Sequence, residues 1–274
     1  MKKAVMNFIL LGALFYAGFL ALLYVTQRQM IYFPDKTPPA HVPEGVEAIN
    51  VMTKDGLTLQ AWFIPAVGSK PTIILFHGNA GNYSHRIYKA AEYAQKGYGV
   101  LLAEYRGYGG NDGNISEQGF YVDGRAYMDF LMNDKKIPAE KIVVYGESIG
   151  TGTATQIAME YDVTALILET PFSSLEERAQ MQYFFVPVKY LLKDKFMNIE
   201  KIDQINAPLL IMHGKKDEVI PFSLAQKLFD KAKMPKVFHD FPQANHNNLY
   251  EFGASAVALD FLASINLQNA DNIP

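Results

Sequence analysis

The chain has no cysteine, which excludes disulfides, thiolate catalysis and cysteine-ligated zinc and leaves the redox compartment open. Charge is sparse. Only 19% of the 274 residues are charged, the net charge is −3, and no long basic run occurs, so nucleic-acid binding is set aside as a main function. Repeats and low-complexity tracts are missing, as is any His-Glu-x-x-His helix; the stretch His77–Asn82 lacks the Lys-Ser/Thr ending of a phosphate-cradling loop. What is abundant is apolar: 49% of the chain is hydrophobic, enough for one large α/β domain with a well-buried core plus an appendage.

The appendage is N-terminal. The uncharged run from Ala4 to Val25 would extend roughly 33 Å as a helix, close to the thickness of a bilayer's hydrocarbon core. A cleaved signal peptide would carry a shorter apolar region ending in small residues, whereas this one ends Leu22-Leu23-Tyr24-Val25-Thr26, so a transmembrane anchor is the better reading. Lys2 and Lys3 before it, with Tyr24, Tyr32 and Phe33 as interfacial aromatics, favour a cytoplasmic N-terminus and a domain on the opposite side; Arg28 and Lys36 offset most of that charge asymmetry. Asp35-Lys36-Thr37-Pro38-Pro39 reads as a loose linker clearing the membrane surface.

Two strands then flank Asp55-Gly56, a hairpin signal, at 49–53 and 57–64. Beyond them, apolar strands at 72–76, 100–104, 142–145, 165–169, 209–212 and 237–241 alternate with helical stretches near 83–96, 117–132, 149–160, 222–233 and 247–264. This alternation predicts a doubly wound, mostly parallel sheet with an antiparallel N-terminal edge.

Gly146-Glu147-Ser148-Ile149-Gly150 follows the strand at 142–145 and opens a helical segment, the pattern of a nucleophile elbow. The sharp turn holds its serine in a strained conformation, and side chains at either glycine would collide with it. Ser148 is thus the candidate nucleophile. In a doubly wound sheet the site lies at the carboxyl ends of the strands, where Asp217 and His246 also fall. The order Ser, Asp, His is that of an α/β hydrolase. Asp240 lies within a strand pattern beside His239 and is the main rival acid, but position favours Asp217, because the orienting carboxylate must reach the imidazole from a loop. His77 and His213, each before a glycine at a strand end, read as loop-orienting groups. For the oxyanion, backbone N–H groups of the His77–Asn82 loop and the N–H of Ile149 at a helix start are the donors, with Asn79 and Ile149 as the pair.

His77-Gly78-Asn79-Ala80-Gly81-Asn82, Glu104-Tyr105-Arg106-Gly107-Tyr108-Gly109, Ser116-Glu117-Gln118-Gly119, the elbow, Glu169-Thr170-Pro171-Phe172, His213-Gly214 with Asp217, and His246-Asn247 together resemble the membrane-anchored α/β-hydrolase-domain serine hydrolases, often labelled serine aminopeptidase-like. The resemblance covers nearly all of residues 28–264 and implies Ser148, Asp217 and His246 as triad, with Asn79 and Ile149 as oxyanion donors. Two positions depart from the pattern, Asn111 in place of Ser and Ala244 in place of Gly before the histidine.

The expected layout is an anchor at 1–27, a juxtamembrane linker at 28–48, an α/β-hydrolase domain at 49–266 with a short cap at 171–207, and a tail at 267–274. The cap run Met181 to Leu192 is rich in aromatic and aliphatic residues, suited either to an acyl chain or simply to packing the cap onto the domain. No paired carboxylates are placed to grip a free amino terminus. The expectation is an ester or thioester hydrolase working through an acyl-enzyme on a small or lipid-like acyl substrate, with no cofactor, metal or nucleic-acid partner. A peptidase or amidase with the same triad is the alternative. A metal-dependent hydrolase using His239, Asp240 and His246, or a non-catalytic membrane scaffold, ranks lower.

Overall fold

The apolar runs form eight strands: β1 (Glu47–Met52), β2 (Thr58–Ile64), β3 (Thr72–Phe76), β4 (Gly99–Ala103), β5 (Ile142–Glu147), β6 (Ala165–Glu169), β7 (Leu209–Gly214) and β8 (Lys236–Phe241). The computed structural model describes residues 1–270, with side chains through Ile265. The strands make one sheet in the order β8-β7-β6-β5-β3-β4-β2-β1. β1 and β2 pair antiparallel around Asp55-Gly56, where Gly56 takes φ +87° to close the turn, and β2 pairs antiparallel with β4. β3 to β8 run parallel, as alternation with helices requires.

Strand periodicity sends neighbouring side chains to opposite faces, and each face is covered. Ile73 and Leu75 of β3 join a core layer beneath α2 (Ile87–Ala94) and α8 (Ala254–Ala270), with Tyr93, Ala258 and Leu262. Ile74 and Phe76 point the other way, into the layer built with α3 (Glu117–Asp129), α4 (Gly150–Glu160) and α7 (Phe222–Lys231), through Tyr127, Ile157 and Leu228. Burial on both faces is why these strands read as continuous apolar runs.

The register places the strand ends level. Phe76 lies opposite Gly146, Glu147 opposite Glu169, and Gly214 opposite Phe241, so the loops after β3, β5, β6, β7 and β8 emerge along one edge. Across that edge lies the segment expected as the cap, containing α5 (Leu175–Gln182) and α6 (Val188–Leu191). The Ser174 hydroxyl starts α5 by accepting from the Glu177 amide at 2.9 Å.

The N-terminal segment departs from a free spacer. α1 spans Lys2–Ile31, four residues past the expected end of the anchor at 27, and is the one helix among the described residues long and apolar enough to cross a membrane. Just beyond it, Phe33-Pro34 pairs in parallel with Ala80-Gly81, and the Asp35 carbonyl accepts from Gly109 N–H at 2.8 Å. Tyr32 is the cause: its ring is buried edge-on against Phe120, with centroids 5.6 Å apart, which draws the chain onto the domain. At the other end, α8 continues to Ala270, past the expected boundary at 266; the remainder of the expected tail, 271–274, lies outside the described residues.

Candidate active site

Ser148 follows β5 with φ +52°, a left-handed conformation uncommon for a residue bearing a Cβ, and its amide donates to Glu169 O at 2.9 Å. The flanking glycines make this turn possible. A Cβ on Gly146 would lie 2.7 Å from Gly150 O, and one on Gly150 would run into the Phe76 carbonyl. The Ser148 side chain therefore stands free at the sheet edge.

His246, in the loop after β8, presents Nε2 at 2.9 Å from Ser148 Oγ and Nδ1 at 2.7 Å from Asp217 Oδ2. With Nδ1–H donating to the carboxylate, Nε2 is left to accept the serine proton. The loop is braced by its own asparagines: Asn245 N–H donates to Asn248 Oδ1 at 2.8 Å, and Asn247 N–H to Asn245 Oδ1 at 2.9 Å. Asp217 is held from the other side, its Oδ1 accepting from the Val219 and Ile220 amides at 2.8 and 2.7 Å. The rival carboxylate is elsewhere: Asp240 sits on the edge strand β8, paired with Lys215, whose hydrogen bond lowers its pKa. Among the described residues no three metal-ligating side chains form a metal site, so His239, Asp240 and His246 do not constitute one.

His213 and His77 behave as loop supports. His213 is fully buried, with Nε2 at 3.0 Å from Ile220 O and 3.3 Å from Asp217 Oδ2, and burial pulls its pKa below the usual imidazole value. His77 links Glu104, at 2.7 Å from Nε2, to Gly78 O, at 2.7 Å from Nδ1. These contacts fix the loop carrying Asn79. The Asn79 side chain is itself occupied, donating to Ile31 O and accepting from Phe33 N–H at 3.3 Å, while Tyr108 OH donates to the Asn79 backbone carbonyl at 3.0 Å. Among the described residues its backbone N–H, like that of Ile149, donates to no turn or loop carbonyl. Both residues line the Ser148 cleft. Of the two departures from the family pattern, Asn111 accepts from Gln60 N–H at 2.8 Å and ties its loop to β2; Ala244 is fully buried in the loop preceding His246.

The cleft at Ser148 has a volume of about 330 Å³. Phe172, Leu175 and Ala179 form one wall, Val219 and Ile220 another, and Met30 and Ile31 from the end of α1 a third. Among the described residues no carboxylate lines it, and the single charged residue there, Arg178, has its guanidinium turned to Val219 O.

Behind the elbow lies a charge cluster that sequence reasoning missed. Lys89 of α2 is buried, with Nζ 2.9 Å from Glu147 and 2.6 Å from Glu169, and Arg86 reaches Glu147 at 2.6 Å. Burial alone would raise the Glu147 pKa, but the two cations outweigh it and hold the carboxyl well below its usual range. Tyr145 OH adds a bond to Glu169 at 2.6 Å. The cluster braces both neighbours of the nucleophile, Glu147 by sequence and Glu169 through the Ser148 amide. Lys89→Met leaves two buried carboxylates short of a cation, and a loss of about 3–5 kcal/mol is expected, read as a lowered midpoint in urea unfolding. An unchanged midpoint would show that water enters the cluster.

An elbow serine, a loop carboxylate and a histidine following β5, β7 and β8 along one edge of an eight-stranded, mostly parallel sheet define the α/β-hydrolase class. Comparison with known proteins gives the same class. Residues 71–198 match a family model described as the alpha/beta hydrolase fold. An uncharacterized protein of Mycobacterium tuberculosis is 36% identical over 242 residues, covering 86% of each chain. The protein bem46 of Schizosaccharomyces pombe is 31% identical, covering 89% of this chain and 88% of its own. Among solved structures, an esterase of Pyrococcus furiosus superposes with a TM-score of 0.69 at 19% identity, over 85% of this chain and 98% of that one. The chain belongs to the α/β-hydrolase family, and is a hydrolase with an esterase-like fold.

Proposed function

We propose that the protein is a membrane-anchored serine hydrolase that cleaves carboxylic esters or thioesters through an acyl-enzyme. The observation that carries this reading is the relay from Ser148 Oγ to His246 Nε2 at 2.9 Å and from Nδ1 to Asp217 at 2.7 Å, opening on an apolar cleft. As Ser148 Oγ attacks the acyl carbon, His246 takes its proton and Asp217 supports the imidazolium. The amides of Asn79 and Ile149 receive the charge developing on the carbonyl oxygen. His246 then gives its proton to the departing alkoxide or thiolate, and water, activated by the same imidazole, releases the acid. No cofactor enters the cycle.

Esters are favoured over peptides because the cleft offers no carboxylate to bind a free amino terminus and its walls are aliphatic and aromatic. In a panel of nitrophenyl esters, acyl thioesters and aminoacyl amides, kcat/KM for the esters or thioesters is expected to exceed that for the amides by roughly 100-fold or more. The reverse order would make the enzyme an amidase.

The layout proposed is an anchor over 1–27, a connecting segment at 28–48 and a hydrolase domain at 49–266 capped by 171–207. Retention of the anchor accords with its contacts to the cap: removing α1 would strip Gln27 from Leu191 O and Lys193 N–H, and Tyr16 from Phe185 O. Arg28 is paired with Asp194 at 2.8 Å and Lys36 remains on the domain side; Lys2 and Lys3 before the helix favour the N-terminus in the cytoplasm and the domain on the opposite side. Deleting residues 1–27 is expected to preserve hydrolysis of a short ester, since Ser148, Asp217, His246, Asn79 and Ile149 all lie beyond the cut. It should also bare the apolar cap face, seen as self-association in size-exclusion chromatography. A folded truncation without short-ester activity would mean that α1 has a part in the chemistry.

A further inference from the structure

α1 does not part from the domain at the end of its apolar run; it lies along the cap. Phe19 stacks on Phe185 with centroids 6.1 Å apart, Tyr16 OH donates to Phe185 O at 2.6 Å, and Gln27 and Arg28 hold Leu191, Lys193 and Asp194 further along. Tyr16 precedes Gln27 by roughly 16 Å of helix, so the contact with Phe185 lies deep within the uncharged stretch. If α1 spans the bilayer, this edge of the cap sits inside it.

The carbonyls and outward side chains of the cap loop suit that position. Hydrocarbon tolerates non-helical backbone only where its polar groups are satisfied within the protein. The carbonyls of the turn meet this requirement, since Tyr183 O accepts from Val186 N–H at 2.9 Å, Phe184 O faces Gln180 Nε2 at 3.4 Å and Phe185 O is met by Tyr16, whereas the Phe184 and Phe185 amides donate to no acceptor among the described residues. The side chains turned outward are Met181, Phe184 and Tyr190, the last two more than 80% exposed. Large apolar side chains so exposed would be costly in water; in lipid they are matched.

Between α1 and the cap is a cavity of about 120 Å³, walled by Leu23, Tyr24, Met30, Val188, Leu191 and Leu192 among others. Met30, Ile31, Leu175, Ala179 and Tyr183 line this cavity and the Ser148 cleft alike, so the two spaces adjoin and only these side chains stand between them. A short acyl group would occupy only the cleft.

We propose that the α1–cap cavity is an acyl-chain passage open to the bilayer, and that the substrates are long-chain acyl esters or thioesters resident in the membrane. The N-terminal helix is then a wall of the substrate site as well as an anchor. This inference rests on the serine-esterase reading above.

The test uses full-length protein in phosphatidylcholine vesicles. Leu23→Trp and Leu191→Trp narrow the passage from opposite walls, and each is expected to lower the ratio of kcat/KM for a tetradecanoyl ester over a butanoyl ester by at least about tenfold. A ratio unchanged in both variants overturns the passage. A second measurement needs no turnover: Ser148→Ala in vesicles holding a lipid with a diazirine near the end of its acyl chain. Cross-links at Leu23, Leu191 or Leu192 that vanish when Leu23→Trp is added support the passage, whereas cross-links only at outward-facing Phe8, Leu14 and Phe15 overturn it. Failure of the serine-esterase reading looks different, since the parent would then hydrolyse neither ester, or Ser148→Ala would still hydrolyse both, while the cross-linking pattern needs no turnover.

Discussion

Ser148→Ala is expected to abolish labelling by a fluorophosphonate probe and to lower turnover by several orders of magnitude, since loss of the nucleophile in a comparable triad costs about 10⁶ in kcat. Two features of the elbow make this a test of chemistry rather than folding. The Ser148 backbone bond to Glu169 O does not involve the hydroxyl, and Gly146 and Gly150, which permit the turn, are untouched. Alanine at φ +52° keeps a Cβ and nothing larger, so the strain already borne by serine does not increase. The only bond removed is that to His246 Nε2 at 2.9 Å. Labelling and esterase activity should be measured on material whose circular dichroism matches the parent. Persistent labelling in such a variant would place the nucleophile elsewhere.

Asp217→Asn is expected to lower the rate by roughly 10⁴ near neutral pH. Asp217 Oδ1 is fixed by the Val219 and Ile220 amides, so an asparagine keeps its oxygen there and turns its NH₂ toward His246. Facing a donor, Nδ1 must become the acceptor, and the proton moves to Nε2. In that tautomer the imidazole cannot take the Ser148 proton. Asp240→Asn removes only the pair with Lys215, both partners substantially exposed, and activity should stay near the parent level. The two variants are to be compared on one small acyl ester at matched folding. A dead Asp240→Asn beside a nearly normal Asp217→Asn would reassign the acid.

Legibility in the sequence followed the range of the interaction that shaped each feature. The strand over Thr72–Phe76 and that over Ala165–Glu169 were readable to the residue, because a strand buried on both faces has to be apolar throughout. The elbow was readable because its glycines answer to steric limits set within a few residues. Asp217 and His246 could be nominated once the strands were placed, since both follow strand ends. Preference for Asp217 over Asp240 came from the same topology, and the 2.7 Å separation from His246 accords with it.

The features that could not be read depend on partners far apart in the chain. Lys89 and Glu169 are 80 residues apart and look like ordinary helix and strand-end charges; only the packing of α2 against β5 and β6 buries them together. The segment at 28–48 reads as a loose linker from its prolines, yet the Arg28–Asp194 pair, the buried Tyr32 ring on Phe120 and the pairing of Phe33-Pro34 with Ala80-Gly81 tie its first part down. The cap's apolar residues are equally suited to covering the domain or meeting lipid, and composition carries no sign of which; the contact of Phe185 with Tyr16 and Phe19 exists only in three dimensions. The sequence by itself determined the sheet and the family and nominated candidate residues for an acyl-transfer site, since each rests on local periodicity, local sterics or position after a strand. Tertiary structure alone decided that the N-terminal helix shares a wall with that site, because nothing local in either segment encodes a contact between Tyr16 and Phe185 across 169 residues of chain.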